Sequence, residues 1–185
     1  MIVTEFLAQQ DHWRYGDWLR EQDSDTLHLY FGVGNGLGLI ESLMDRIDAE
    51  PQRHNFLVAR NCSGWLGAIH IAEIDSKSVE FGIIVQKDLR GEGIGSMLMD
   101  EALAWARNRG YQELFMHCLA RNLAVKHLCD KYSIQTTSLS DESEAKVPLA
   151  PASLVSLAKE ISYKQRNIFH TFLQNTHSFY NEIYG

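Results

Sequence analysis

The sequence predicts an α/β (α+β) fold, a mixed and mostly antiparallel sheet flanked by helices, and three observations predict it. NFLVAR, GWLGAIHIAEI and SVEFGIIVQ, between residues 55 and 86, are apolar runs separated by turn-like NCSG and DSKS, the pattern of an antiparallel meander of three strands. LRGEGIGSML, residues 89–98, then carries the last of these strands through a charged turn and three alternate glycines into a helical pattern. Beyond it the periodicity changes again, giving the order α, βββ, α, β, α, ββ.

Each element has its own signal. HWRYGDWLREQD, 12–23, reads as helix and loop, and LIESLMDRI, 39–47, sets Leu39, Ile40, Leu43, Met44 and Ile47 at helical spacing. Between them FGVGNGLG, 31–38, reads as a flexible entry loop, because no strand pattern precedes it and no basic residue stands beside it. SMLMDEALAWARNRG is a helix with Met97, Leu98, Ala102, Trp105 and Ala106 as its apolar stripe, Arg107 and Arg109 in its last turn and Gly110 as its cap. ELFMHCL, 113–119, is a short strand, and NLAVKHLCDKY a helix opened by Asn122. SIQTTSL and AKVPLA are two strands around the acidic turn DESE, 141–144. From Pro151 a single long helical pattern follows, with Leu154, Leu157, Ala158, Ile161, Ile168, Phe169, Phe172 and Leu173 in its stripe. The expected organisation is one domain over 1–150 and a helical extension over 151–185, packed on the same domain, at a homodimer contact or as a lid over a ligand cleft.

Composition bounds the function. A chain of 185 residues with 45% apolar and 22% charged residues is one folded domain, with no linker bias. No apolar run approaches the roughly 18–20 residues of a membrane span, and MIVTEFLAQQ lacks a cationic start, so a cytoplasmic protein without membrane attachment is expected. Cys62, Cys118 and Cys129 are odd in number and lack metal-ligand spacing, which points to buried thiols in a reducing compartment and to no metal site. A net charge of -7 argues against a nucleic-acid footprint. Glu5, Asp11, Asp17, Glu21, Asp23 and Asp25 face only Arg14 and Arg20 in the first 25 residues; this patch is either a solvated face or a mild attraction for cationic partners. His117 and Cys118, adjacent on a strand, point to opposite faces and do not form a nucleophile pair.

The glycine stretch carries the chemistry. A helix N-terminus offers unpaired N–H groups and the positive end of the macrodipole, and glycines let backbone close on an oxyanion, so a phosphate is the natural guest. A mononucleotide P-loop is excluded because no lysine follows the last glycine, and a dinucleotide fingerprint because Ser96 takes the place of its third glycine. What remains is Arg90-Gly91-Glu92-Gly93-Ile94-Gly95, which fits Q/R-x-x-G-x-G/A, and in this the chain resembles the GNAT N-acetyltransferases. The strand and turn of VEFGIIVQKDL lead into the loop in the family's register. Asn122 with Val125 and Leu128 is similar to the family's N-x-x-A-x-x-L pattern. The resemblance covers residues 55 to about 134.

The resemblance implies an acetyl-CoA cosubstrate, no metal, and direct transfer of the acetyl group to a primary amine of a small molecule or protein. It sets the pyrophosphate on residues 90–95, with Ser96 at the helix start, and the pantetheine arm along Ile83, Ile84 and Val85 and against Asn122. Glu80, on the strand before the loop, matches a position where many relatives carry a catalytic base; a structural strand residue is the alternative, and Glu73 is a second candidate. At the place of the family's tyrosine near the sulfur stands Cys129, a weak acid or a small core residue, with Tyr132 able to substitute, and Ser133-Ile134 replaces the usual Gly-Phe. Tyr30 and Phe31, before the second strand, are candidates for acceptor contact. Alternatives are a non-catalytic acyl-CoA-binding regulatory module and a structural protein that assembles through its last helix.

Overall fold

The computed structural model describes residues 1–32, 36–119, 122–132, 134, 136–139, 142–163 and 165, with backbone alone at 117–119, 136–139 and 142–144. Among the described residues seven strands form one sheet: β1 (Val3–Phe6), β2 (His54–Asn61), β3 (Gly64–Glu73), β4 (Ser78–Val85), β5 (Glu113–Leu119), β6 (Thr136–Leu139) and β7 (Glu142–Pro148), in the order β1-β2-β3-β4-β5-β7-β6. All neighbours are antiparallel except β4 and β5, which the helix α4 (Ile94–Asn108) joins as a parallel crossover. Helices α1 (Trp13–Arg20), α2 (Ser24–Phe31) and α3 (Gly36–Ala49) precede β2, and α5 (Leu123–Lys131) follows β5.

Strand alternation sorts the side chains onto two faces. Phe56, Val58, Ala68 and Ile84 face one side and pack with Tyr15, Trp18, Leu19, Leu27, Ile40, Leu43 and Ile47 of α1–α3. Leu57, Ala59, Ile69, Ile71, Phe81 and Ile83 face the other and pack with Leu98, Met99, Ala102 and Trp105 of α4 and with Val125 and Leu128 of α5. Both faces of the central strands are thus covered, which is why β2–β4 read as nearly continuous apolar runs.

The structure corrects several expectations. Val3–Phe6 is an edge strand, fixed to β2 by the Arg60 guanidinium on Glu5 (2.7 and 3.2 Å) and to α4 by a hydrogen bond from buried Thr4 to buried Glu101. FGVGNGLG is not one loop: Phe31 ends α2, Gly32 caps it at φ 80°, and Gly36 already lies in α3, while 33–35 fall outside the described residues. The signals for α2 were local, since Asp23 accepts from the Thr26 N–H at 3.1 Å as an N-cap. β7 begins at Glu142, so most of the acidic turn belongs to a strand. Cys62 is exposed in the β2–β3 turn rather than buried, whereas Cys129 is buried in the core; the Cys118 and His117 side chains lie outside the described residues.

The segment after Pro151 is helical over 154–163, and its stripe beyond residue 165 falls outside the described residues. Among the described residues its apolar side chains do not dock on the domain: Leu154 is 86% exposed, and Leu157 and Ile161 are also exposed. The polar face makes the contact instead, with Ser156 Oγ donating to Asn108 Oδ1 at 2.6 Å, Asn108 Nδ2 donating to Glu160 Oε2 at 2.7 Å and Arg109 paired with Glu160 at 3.3 Å. Among the described residues no helix is long and apolar enough to cross a membrane.

Candidate active site

The site arises where two parallel strands part. The β4–β5 register runs from Ser78↔Glu113 to Glu80↔Phe115 and stops, although β4 continues to Val85 and β5 to Leu119. Residues 81–85 of β4 therefore keep an edge that an extended ligand arm can pair with as an added strand. A cavity of about 440 Å³ occupies the opening, lined by Ile83, Ile84, Val85, Arg90, Gly91, Gly93, Gly95, Ser96 and Asn122. Leu29, Leu123, Ala124 and His127 are also among its lining residues, and nothing in their own sequence neighbourhood marks them as such. Glu92 and Ile94 do not line it: Glu92 is exposed and Ile94 is 3% exposed in the core.

The glycine loop meets this cavity at the start of α4. Gly91 and Gly93 have φ of 88° and 82°, a region costly for residues with a Cβ, and a Cβ at either would meet nothing within 4 Å. Their requirement is conformational, and the space above them is open. Gly95 differs, since a Cβ there would lie 3.3 Å from Leu128 Cδ1, a tight contact with the tip of a flexible side chain. The first N–H groups of α4, at Ile94, Gly95 and Ser96, have no intrahelical acceptors, so the loop fits a pyrophosphate. Arg90 contributes differently from a free cation: its Nε donates to the Val85 carbonyl at 3.2 Å and its Nη2 to Thr26 Oγ1 at 2.6 Å, locking the loop to β4 and α2. Asn122 caps α5 by accepting from the Val125 N–H at 3.3 Å and donates to the Leu29 carbonyl at 3.4 Å, joining α5 to α2.

A second cavity, of about 240 Å³, adjoins the first; the two share Leu29, Tyr30, Ile83, Asn122 and Val125. Glu80 lines it, with Phe31, Arg46, His54 and His70. Its floor follows from register, because His54 and Glu80 both pair with Ala72, whose small side chain leaves room between them. Gly82 opens the wall next to it: a Cβ there would lie 2.6 Å from the Tyr30 hydroxyl, so that ring can lie directly against the strand.

Burial governs the titration of this cavity. It pushes His70 down to about 3, helped by His54 and Arg46, and also lowers His54, so both imidazoles are neutral at pH 7. They share one proton across 2.9 Å between His54 Nδ1 and His70 Nε2. Burial lifts Tyr30 to about 12, opposed by the Tyr15 hydroxyl, which donates to it at 2.8 Å, and aided by the Glu80 charge. Tyr30 and Phe31 meet edge to face at 4.9 Å. Cys129 and Tyr132 stand elsewhere. Cys129 is fully buried and lines neither cavity, and the Tyr132 hydroxyl donates to the Ser96 carbonyl at 3.0 Å, its proton held by burial and by Asp100. Glu73 also lines neither cavity.

Residues 10–133 match the sequence profile of the acetyltransferase (GNAT) family. The chain belongs to that family. As a GNAT protein it is an N-acetyltransferase with acetyl-CoA as its cosubstrate, and no group of residues suited to a metal occurs among the described residues. Solved structures share the fold at low identity. A domain from Methanocaldococcus jannaschii is 17% identical with TM-score 0.64, covering 80% of this chain and 99% of that one. The spermidine N-acetyltransferase of Vibrio cholerae, solved with CoA and spermine, is 15% identical with TM-score 0.61, covering 80% and 95%. A GNAT acetyltransferase from Elizabethkingia anophelis with acetyl-CoA bound is 15% identical with TM-score 0.58, covering 80% and 98%. No curated protein matches the chain in sequence.

Proposed function

We propose that this GNAT protein acetylates a primary amine held in the cavity beside Glu80, with the donor in the adjoining groove. The observation that carries the reading is the pair of connected cavities. One is bounded by the glycine loop and the free edge of β4, and the other holds a carboxylate one pleat from the point where the strands part. Residues 90–96 hold the pyrophosphate, and the β4 backbone at 83–85 pairs with the pantetheine arm. Acetyl-CoA supplies an activated thioester. Glu80 takes the proton that the ammonium must lose before its nitrogen lone pair can attack the acetyl carbon; the C–N bond forms, the C–S bond breaks with its electron pair on sulfur, and the second proton shed by the nitrogen balances the one the thiolate takes up.

Tyr30 is the group we assign to the sulfur side. It lines both cavities, it accepts from Tyr15, and its own proton has no acceptor among the described residues, so it is free to donate where the cavities meet. Cys129 and Tyr132, behind the groove, are not given that role. Phe31 borders the acceptor, and residues 1–150 form the catalytic domain with the segment from 151 as an extension; its exposed stripe suits a homodimer contact. A cytoplasmic enzyme is the reading of the free thiols Cys62 and Cys129.

Thermal unfolding with acetyl-CoA, CoA and ATP tests the donor site, followed by CoA release over an amine panel. Stabilisation by both CoA species and not by ATP, with release dependent on amine, is expected. Stabilisation without release from any amine favours a regulatory acyl-CoA-binding protein.

A further inference from the structure

We propose that the acceptor carries an anionic group, a carboxylate or a phosphate, beside its primary amine, and that Arg46 binds this group while the amine faces Glu80. The inference rests on the acetyltransferase reading and specifies its substrate class. Arg46 of α3 and Glu80 of β4 line the same cavity, and neither has an ion pair among the described residues. A guanidinium is charged at every working pH, and its donor fork matches carboxylate and phosphate oxygens. An arginine left unpaired on a cavity wall offers that fork to a ligand.

The rest of the wall leaves the two charges unbalanced by anything else. His54 and His70 are neutral at pH 7, Tyr30 keeps its proton, and Phe31, Ala72, Phe81 and Met116 are apolar. The cavity therefore presents one cation and one carboxylate, complementary to a ligand with an ammonium and an anion. A polycation would find one carboxylate and an opposing arginine. The acidic residues that bias the first 25 positions do not alter this, since Asp17 pairs with Arg20, Glu5 with Arg60, and Asp23 and Asp25 with Lys87, and none of them lines the cavity. About 240 Å³ is below the roughly 300–1,000 Å³ of sites for drug-sized ligands, so the guest is small.

The full chain is assayed for CoA release with α-amino acids, phosphoethanolamine, alkylamines of matching length and spermidine. Calorimetry of the same amines on the CoA-loaded protein supplies a readout apart from turnover. The anion-bearing amines are expected to show KM and Kd at least about tenfold below the amines that lack an anion, the amino-acid and phosphoethanolamine arms deciding between carboxylate and phosphate. Arg46→Ala is expected to weaken the anion-bearing amines by about tenfold more than those without an anion, with partial recovery in Arg46→Lys. Preference for alkylamines or spermidine, or an equal effect of Arg46→Ala on both classes, overturns the inference and leaves the transferase reading in place. If no amine releases CoA, Arg46-dependent heat with the anion-bearing amines sustains the inference while the transferase reading fails, and its absence overturns the inference as well.

Discussion

At the scale of single residues, the cavity beside Glu80 depends on side chains whose ionisation burial has fixed. Glu80→Gln keeps shape and removes the proton acceptor, so kcat/KM at neutral pH should fall by about a hundredfold or more, read as initial rates of CoA release; full activity across the pH range would remove Glu80 from the mechanism. Tyr30→Phe should lower kcat by about tenfold, a smaller loss because a thiolate leaves tolerably without protonation, and should leave the stabilisation by CoA in place. His70 gives a prediction about stability. Its value of about 3 lies below the 6.5 of an unfolded chain, so between these values the unfolded state binds more protons. The stability it contributes is complete above pH 6.5 and declines as pH falls toward 3, by about 2 kcal/mol at pH 5. Urea unfolding at pH 7 and pH 5 measures this, and His70→Asn should flatten the slope. His54, lowered by burial and by Arg46, adds in the same direction.

At the scale of elements, the loop and helix from Arg90 to Asn108 form the best-defined unit. Gly93→Ala should cost about 1 kcal/mol through its left-handed φ, not through a clash, lowering Tm by a few degrees and weakening acetyl-CoA in a thermal titration. This unit was legible because its signals are local: three glycines, an apolar stripe and Gly110 at φ 84° closing the helix. The three meander strands and β5 were legible for the same reason. β1 and α2 were not. VTEF is too short to show a period, and its place at the edge is decided by Arg60 and Glu101, far away in sequence. In α2 a mixed pattern hid an Asp23 cap and a Gly32 stop. In the described part of the extension Asn108, Arg109 and Glu160 hold its polar face, and no periodicity measures a hydrogen bond.

At the scale of the whole molecule, ligand binding and folding are linked. A donor that touches β4, the glycine loop and α5 at once binds only the folded chain, so acetyl-CoA at about a hundred times its Kd should stabilise by about 2.7 kcal/mol, seen as a concentration-dependent Tm. The sequence by itself determined the α/β class, the order of the central elements and the anion-binding loop, because each is written in residues close together along the chain. It thereby pointed to the donor. Only the tertiary structure decided the cavity beside Glu80, since Arg46, His54, His70, Glu80 and Tyr30 come from five elements brought together by sheet register and by packing of α2 and α3 on one face. Register places Ala72 between His54 and Glu80, packing sets Tyr30 against Gly82, and neither relation has a trace in local sequence.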